Sequence, residues 1–239
     1  MQIRAILWDI DDTIFDYTSA DRIGMRQHLE AEGLPDGYES VEQALVRWRE
    51  ITDQCWARFS AGETDWQGQR RDRVRSFTGG ALSDEAADAW FARHLARYEA
   101  AWELFPDFLP ALDQLTADYR HGVLSNSAAH NQEHKLRTLG VRDRFEVLVC
   151  AAELGVAKPA PGAFHAACDA LGLVPGEVLY VGDQPDIDAA GALAAGLSAV
   201  WLDRQDRGGR PELVRITGLG RLPGLLRGDT RFGAPSTFR

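Results

Sequence analysis

Three carboxylates and a hydroxyl, Asp9, Asp11, Asp12 and Thr13, close the apolar run Ala5-Ile6-Leu7-Trp8. Acidic groups this close repel one another, so a cation among them is the simplest reason for such a cluster. Three further polar sets each follow an apolar stretch. Ser125 and Asn126 come after His121-Gly122-Val123-Leu124. Lys158 lies in Glu153-Leu154-Gly155-Val156-Ala157-Lys158-Pro159. Asp183 follows Leu179-Tyr180-Val181-Gly182, with Asp186 and Asp188 just beyond. Each set alone has an ordinary explanation: Asp11 as a turn residue, Ser125 as a helix cap, Lys158 as a solvated surface lysine. Brought to one place, they would make a cation site with a carboxylate available for nucleophilic or acid–base work.

The elements around them decide whether they meet. Apolar residues at Ile3, Ile6, Leu7 and Trp8 suit a strand buried on both faces. From Phe105 onward the pattern alternates. A helix is expected to about Ala117, a strand over His121–Leu124, a helix over Asn131–Leu139 closed by Gly140, and a strand over Phe145–Cys150. A helix over Gly162–Leu171, a strand over Glu177–Val181, a helix over Asp186–Ala195 and a strand over Ser198–Leu202 follow. Leu213–Leu226 could pack a final edge segment. Short connections of this kind imply an α/β fold, a doubly wound parallel sheet covered on both faces. In such a sheet all four polar sets emerge at one edge, the carboxyl ends of the strands.

Between the first strand and the rest lies a stretch with no convincing strand. Helices are expected over Ser19–Glu32, Glu39–Phe59 and Trp66–Phe77, with another from Ser83, a plausible N-cap. The expected organisation is therefore a core of residues 1–17 and 104–226, an inserted all-helical unit of 18–103 and a flexible tail of 227–239.

Composition sets outer limits. The 239 residues suffice for one large domain or a core with an inserted second one. A hydrophobic share of 45% and a charged share of 26% are those of an ordinary soluble globular protein. The net charge of −10 argues against nucleic acid or an anionic membrane as a partner. A small anionic substrate stays open, because a site can be locally positive. Cys55, Cys150 and Cys168 lack any Cys-x-x-Cys spacing and read as reduced thiols of a cytoplasmic protein. The chain enters its first strand directly, so no signal peptide is expected, and no run of roughly twenty apolar residues could span a membrane. A monomer or homodimer fits this picture.

Taken in order, Asp9-x-Asp11-x-Thr13, Leu124-Ser125-Asn126, Ala157-Lys158-Pro159 and Val181-Gly182-Asp183 with Asp188 and Ala190-Gly191-Ala192 resemble the motifs of the haloacid dehalogenase-like hydrolases. The resemblance covers residues from about 3 to 226, implies a Rossmann-like core for the sheet, and makes the helical insert look like the family's C1-type cap. It implies phosphoryl transfer on a small phosphorylated metabolite. Asp9 would be the nucleophile, forming an aspartyl-phosphate. Asp11 would protonate the leaving alcohol and then deprotonate water. Asp9, Asp183 and the backbone carbonyl of Asp11 would hold Mg²⁺, a hard ion that prefers oxygen. Lys158 would balance charge, Ser125 and Asn126 would bind phosphoryl oxygens beside a helix N-terminus, and Asp188 would brace the metal site. Thr13 is expected either at the phosphate or as a loop brace. Asp12 stands where the family more often has Gly, and Asp186 sits one residue out of register.

Dehalogenases of the family need no acid for a leaving halide and typically lack the second carboxylate, so Asp11 favours a phosphatase. Substrate choice in the family lies in the cap, here rich in Trp48, Trp56, Trp66, Trp90 and Trp102. Trp56, Phe59 and Trp66 flank Gly62 and could line a pocket or fill the cap's own core. Arg73 resembles a cap arginine of nucleotidase-like relatives and, with Trp66, is a candidate substrate contact. The phrasing around Lys158 resembles pyrimidine 5′-nucleotidases, phosphoglycolate phosphatases and N-acylneuraminate 9-phosphatases. A nucleoside 5′-monophosphate, phosphoglycolate or a sugar phosphate are therefore the substrates considered. Dehalogenase, phosphomutase and non-catalytic binding protein are the alternatives.

Overall fold

The computed structural model describes residues 2–228. It forms two compact units, one of residues up to Asp16 and from Glu103 onward, the other Tyr17–Trp102.

The first unit opens with strand β1 (Ala5–Trp8), all four residues of which are fully buried. Four helices make the second unit: α1 (Tyr17–Glu32), α2 (Val41–Ser60), α3 (Trp66–Thr78) and α4 (Asp84–Ala100). Local chemistry sets their ends. Ser40, Asp65 and Ser83 each accept an amide N–H of the first turn, from Gln43, Gly68 and Ala86. Gly79 closes α3 with φ 64°, a left-handed value that glycine reaches without strain. Met25, Leu29, Trp48, Ile51, Val74, Phe77 and Phe91 form the core of this unit. A Cβ on Gly24 would lie 2.5 Å from the Tyr98 Cα, so glycine is what lets α1 and α4 approach.

The first unit then continues through α5 (Phe108–Leu115), β2 (Arg120–Ser125), α6 (Ala129–Thr138), β3 (Val147–Cys150), α7 (Ala151–Leu154), α8 (Pro161–Leu171) and β4 (Val178–Gly182). A π-type turn over Pro185–Ala190 leads into α9 (Gly191–Ala194), then β5 (Ser198–Leu202), β6 (Arg215–Ile216) and α10 (Leu222–Gly228). Six strands pair in the order β3-β2-β1-β4-β5-β6, and every pairing is parallel. This is the expected doubly wound sheet. Leu7, Tyr180 and Leu124 pack with Phe164, Ala167 and Cys168 on one face. On the other, Trp8 meets the Phe108 ring edge-on at 5.6 Å and donates its Nε1–H to His121 Nδ1 at 3.2 Å.

β1 lies between β2 and β4, with Trp8 in register with Val123 on one side and Val181 on the other. The chain thus leaves β1 at the switch point of the sheet, where a crevice opens at the strand ends. Several boundaries differ from the sequence reading. The expected helix over Asp186–Ala195 is a π-type turn plus one short helix, with Gln184 O accepting from both Asp188 N and Ala189 N. The helix expected from Phe105 begins at Phe108, and α6 begins at Ala129 rather than Asn131. The expected edge segment is the two-residue strand β6 followed by α10. Of the expected tail, Arg227 and Gly228 end α10, and 229–239 lie outside the described residues. The three cysteines are buried and unpaired, and no described helix is long and apolar enough to cross a membrane.

Candidate active site

Lys158 is the centre of the site. Its ammonium has three hydrogens and meets three acceptors, Asp9 Oδ1, Asp188 Oδ1 and the Tyr180 hydroxyl, each at 2.7 Å. Tyr180 in turn donates to Leu124 O at 2.9 Å. The side chain of Lys158 is 3% exposed, that of Asp9 9% and that of Asp188 not at all. Asn126 fixes the lysine's backbone from both sides, its Nδ2 donating to Lys158 O at 3.0 Å and its Oδ1 accepting from Lys158 N at 2.8 Å. Its amide is thereby engaged with the lysine rather than offered to an anion.

Asp9, Asp183 and Asp188 each place an oxygen within 4.8 Å of the others. Burial pushes the Asp9 carboxyl up to about 7, Lys158 pulling against it and the charges of Asp188 and Asp11 adding to it. Asp183 goes up to about 9 through burial and then through Asp9, Asp188 and Asp12. Burial opposes charge on Lys158, but Asp188 and Asp9 hold its ammonium well above the ordinary range. Asp188 Oδ2 accepts the Gln184 amide at 3.0 Å, so both of its oxygens are occupied. Asp183 Oδ1, by contrast, is buried with no hydrogen-bond partner. A group of hard oxygen donors holding more acid than its lysine balances, with one oxygen orphaned, fits a divalent cation such as Mg²⁺. Asp9 and Asp183 would hold it, with the backbone carbonyl of Asp11 as a third donor.

The loop after β1 turns tightly. Thr13, Ile14 and Phe15 all direct their N–H groups at Ile10 O, and Asp12 N donates to Phe15 O at 2.8 Å. Asp12 adopts φ 59°, a left-handed conformation that glycine takes freely and that Asp tolerates better than most residues. Thr13 is fully buried. Its carbonyl accepts from Arg204 at 2.8 Å, while its hydroxyl has no partner.

Asp11 stands apart from the carboxylate cluster, with its side chain 34% exposed. Lys135 Nζ donates to its Oδ1, and Gln132 Nε2 donates to its Oδ2 at 2.9 Å. The same Gln132 amide donates to Ser125 Oγ at 3.0 Å, which also accepts the Ser127 N–H at 3.2 Å. Ser125 therefore keeps its own hydroxyl hydrogen to donate. At the start of α6, the Ala129 N–H is occupied by Glu153. Asp186 is exposed and pairs with Arg210 at 2.5 Å.

In the helical unit, Arg73 is buried, donates to Gln69 Oε1 at 2.5 Å and lies over the rings of Trp48, Trp56 and Phe91 at 5.6–6.0 Å. Trp66 packs edge-on against Trp56 and Phe59 at 5.6 and 5.7 Å, with Arg70 over its ring at 4.6 Å. Arg71 and Arg75 pair with Asp84 and Asp88.

The structure thus joins Asp9, Lys158 and Asp188 by hydrogen bonds, sets an Asp183 oxygen within 4.8 Å of the two carboxylates, and ties Asp11 to Ser125 through Gln132. Sequence reading missed Gln132, Lys135 and Tyr180. The signal for the first two was their spacing of three on a helix directly after Ser125-Asn126, which puts them on one face. Tyr180 carried no signal beyond a polar handle in an apolar strand.

A family model described as haloacid dehalogenase-like hydrolase matches residues 3–196. The N-acylneuraminate-9-phosphatase of Mus musculus is 28% identical over 216 residues, covering 86% of this chain and 85% of that relative. A phosphoserine phosphatase of Thermus thermophilus is 31% identical over an alignment of 257 residues, covering 96% of this chain and 97% of that relative. Among solved structures, the HAD-hydrolase YfnB of Bacillus subtilis, bound to magnesium, matches with a TM-score of 0.80 at 20% identity over 95% of this chain and all of that one, a likeness of fold.

Proposed function

The chain belongs to the haloacid dehalogenase-like hydrolases, and from that premise we propose that it is a Mg²⁺-dependent phosphomonoester hydrolase working through an aspartyl-phosphate on Asp9. One arrangement carries the reading. A buried acid cluster short of positive charge sits next in sequence to a separate, part-exposed carboxylate at Asp11. The first needs a cation and offers a nucleophile; the second is an acid–base group outside that cluster, of the kind a poor leaving group requires.

Lys158 engages Oδ1 of Asp9, leaving Oδ2 to attack phosphorus. The new bond is Asp9 Oδ2–P, the bond that breaks is P–O of the ester, and the alkoxide leaves with the proton of the Asp11 carboxyl. Water then attacks the same phosphorus. Asp11 carboxylate takes the water proton, the Asp9 O–P bond breaks, and inorganic phosphate is released. Lys158 supplies positive charge through its place beside Asp9, and the hydroxyls of Ser125 and Thr13 supply donors for the phosphoryl oxygens. Bound Mg²⁺ would offset the negative charge shared by Asp9 and the phosphoryl group.

The substrate is a small phosphorylated metabolite. The two curated relatives are by name an N-acylneuraminate-9-phosphatase and a phosphoserine phosphatase. Phosphorylated sugar acids and amino acids therefore belong in the first screen, beside nucleoside 5′-monophosphates and phosphoglycolate. Arg73 and Trp66 are the side chains of the helical unit to vary in that screen. Asp9→Asn should abolish Mg²⁺-dependent release of phosphate from an aryl phosphate while circular dichroism shows the chain still folded. A variant that still turns over would overturn the assignment, as would full activity of the wild type in excess chelator.

A further inference from the structure

Asp11 sits on a loop and is partly exposed, a setting in which a carboxylate ordinarily samples several rotamers. Here each of its oxygens has its own donor, and both donors come from α6. Lys135 Nζ holds Oδ1, and Gln132 Nε2 holds Oδ2 at 2.9 Å. The donors are themselves fixed. Gln132 is 1% exposed and Lys135 6%, and the ammonium of Lys135 lies 4.4 Å from the centre of the fully buried Phe15 ring. The second hydrogen of the Gln132 amide goes to Ser125 Oγ at 3.0 Å. One amide thus spans the residue proposed to move the proton and the residue proposed to grip the phosphoryl group, across the ends of β1 and β2.

We propose that Gln132 and Lys135 are positioning residues that hold the Asp11 carboxylate at a set place and orientation relative to a phosphoryl group at Ser125. The inference rests on the phosphatase reading, since it assigns how that reading's acid–base residue is placed. A group so placed matters in proportion to how much the leaving oxygen needs a proton. A merely structural pair would affect all esters alike.

The test is a series of aryl phosphates running from dinitrophenyl, whose phenolate leaves unaided, to plain phenyl, which needs a proton. Proton transfer of this kind contributes about 10²–10⁴-fold. Lys135→Met and Gln132→Met should each lower kcat/KM for phenyl phosphate by about 10²-fold while the loss on dinitrophenyl phosphate stays below about tenfold. Asp11→Asn should show the same tilt, and Lys135→Arg should recover most of the phenyl phosphate activity. Where Lys135→Met fails to fold, Gln132→Met, which leaves the ion pair in place, decides the matter alone. Equal losses across the series, or none, overturn the proposal. Failure of the parent reading looks different: an Asp9→Asn variant that stays active, or an Asp11→Asn variant with no tilt.

Discussion

A lysine with three hydrogens and three acceptors has no donor to spare, and Lys158 is in that state. Burying an ammonium costs several kcal/mol unless its partners are close and well placed. Asp9 and Asp188 supply the charge, and Asn126 sets the backbone from which the side chain reaches them. The dependence runs both ways, because removing the lysine leaves carboxylates buried without a cation. Lys158→Met keeps the stem and removes the charge. It should abolish turnover and destabilise the metal-free protein by about 3–5 kcal/mol in urea unfolding. Added Mg²⁺ should recover part of that loss, since the same acids are its proposed ligands. Equal stability of the variant and wild type without metal would show that the cluster does not depend on Lys158.

At the level of elements, the site depends on how β4 ends. Gly182 is its last residue, and a Cβ there would lie 2.4 Å from Asp188 Cγ. Asp188 cannot move aside freely, being held by Lys158 and by the Gln184 amide of the following turn. Gly182→Ala should therefore displace Asp188, cost about 1–3 kcal/mol by overpacking, and lower turnover by up to about 10²-fold through misplacement of Lys158. Wild-type turnover in that variant would mean that Asp188 is not a working support. The strand ends were legible in the sequence because a strand buried on both faces is an unbroken apolar run, and polar residues at its end stand out, as at Asp9 and Asp183. The π-type turn was not legible, because one widened turn leaves no mark on the apolar spacing of Asp186–Ala195. Gln132 and Lys135 were missed for a related reason. On a helix surface such residues look solvated until the strand beside them is known, and only the β1–β2 pairing brings α6 against Asp11.

For the molecule as a whole, the two units carry different liabilities. The sheet unit concentrates unbalanced acid; the helical unit buries histidines. His94 is 3% exposed and lies against Trp48, Phe91 and Trp90. Burial, then the positive charges of His28, Arg73 and Arg97, push its imidazole down to about 3, and burial with Arg97 pushes His28 down to about 4. The unfolded chain takes these protons near the ordinary value of about 6.5. The folded helices refuse them until the lower values are reached. Stability from the neutral rings is therefore complete above about pH 6.5 and is lost as pH falls toward 4 and then 3, with His94 contributing up to about 1.4 kcal/mol per pH unit. Asp21, also buried here, is raised by burial and so works with the opposite sign, its contribution lost as pH rises. Five of the seven tryptophans belong to the helical unit, so tryptophan fluorescence reports mainly on it. Its melting midpoint should fall between pH 7 and 5, and His94→Phe, which keeps an aromatic ring in place, should flatten that slope. A wild-type midpoint independent of pH over this range, or an unchanged slope in His94→Phe, would show that the buried imidazole does not set the acid limit of the helices.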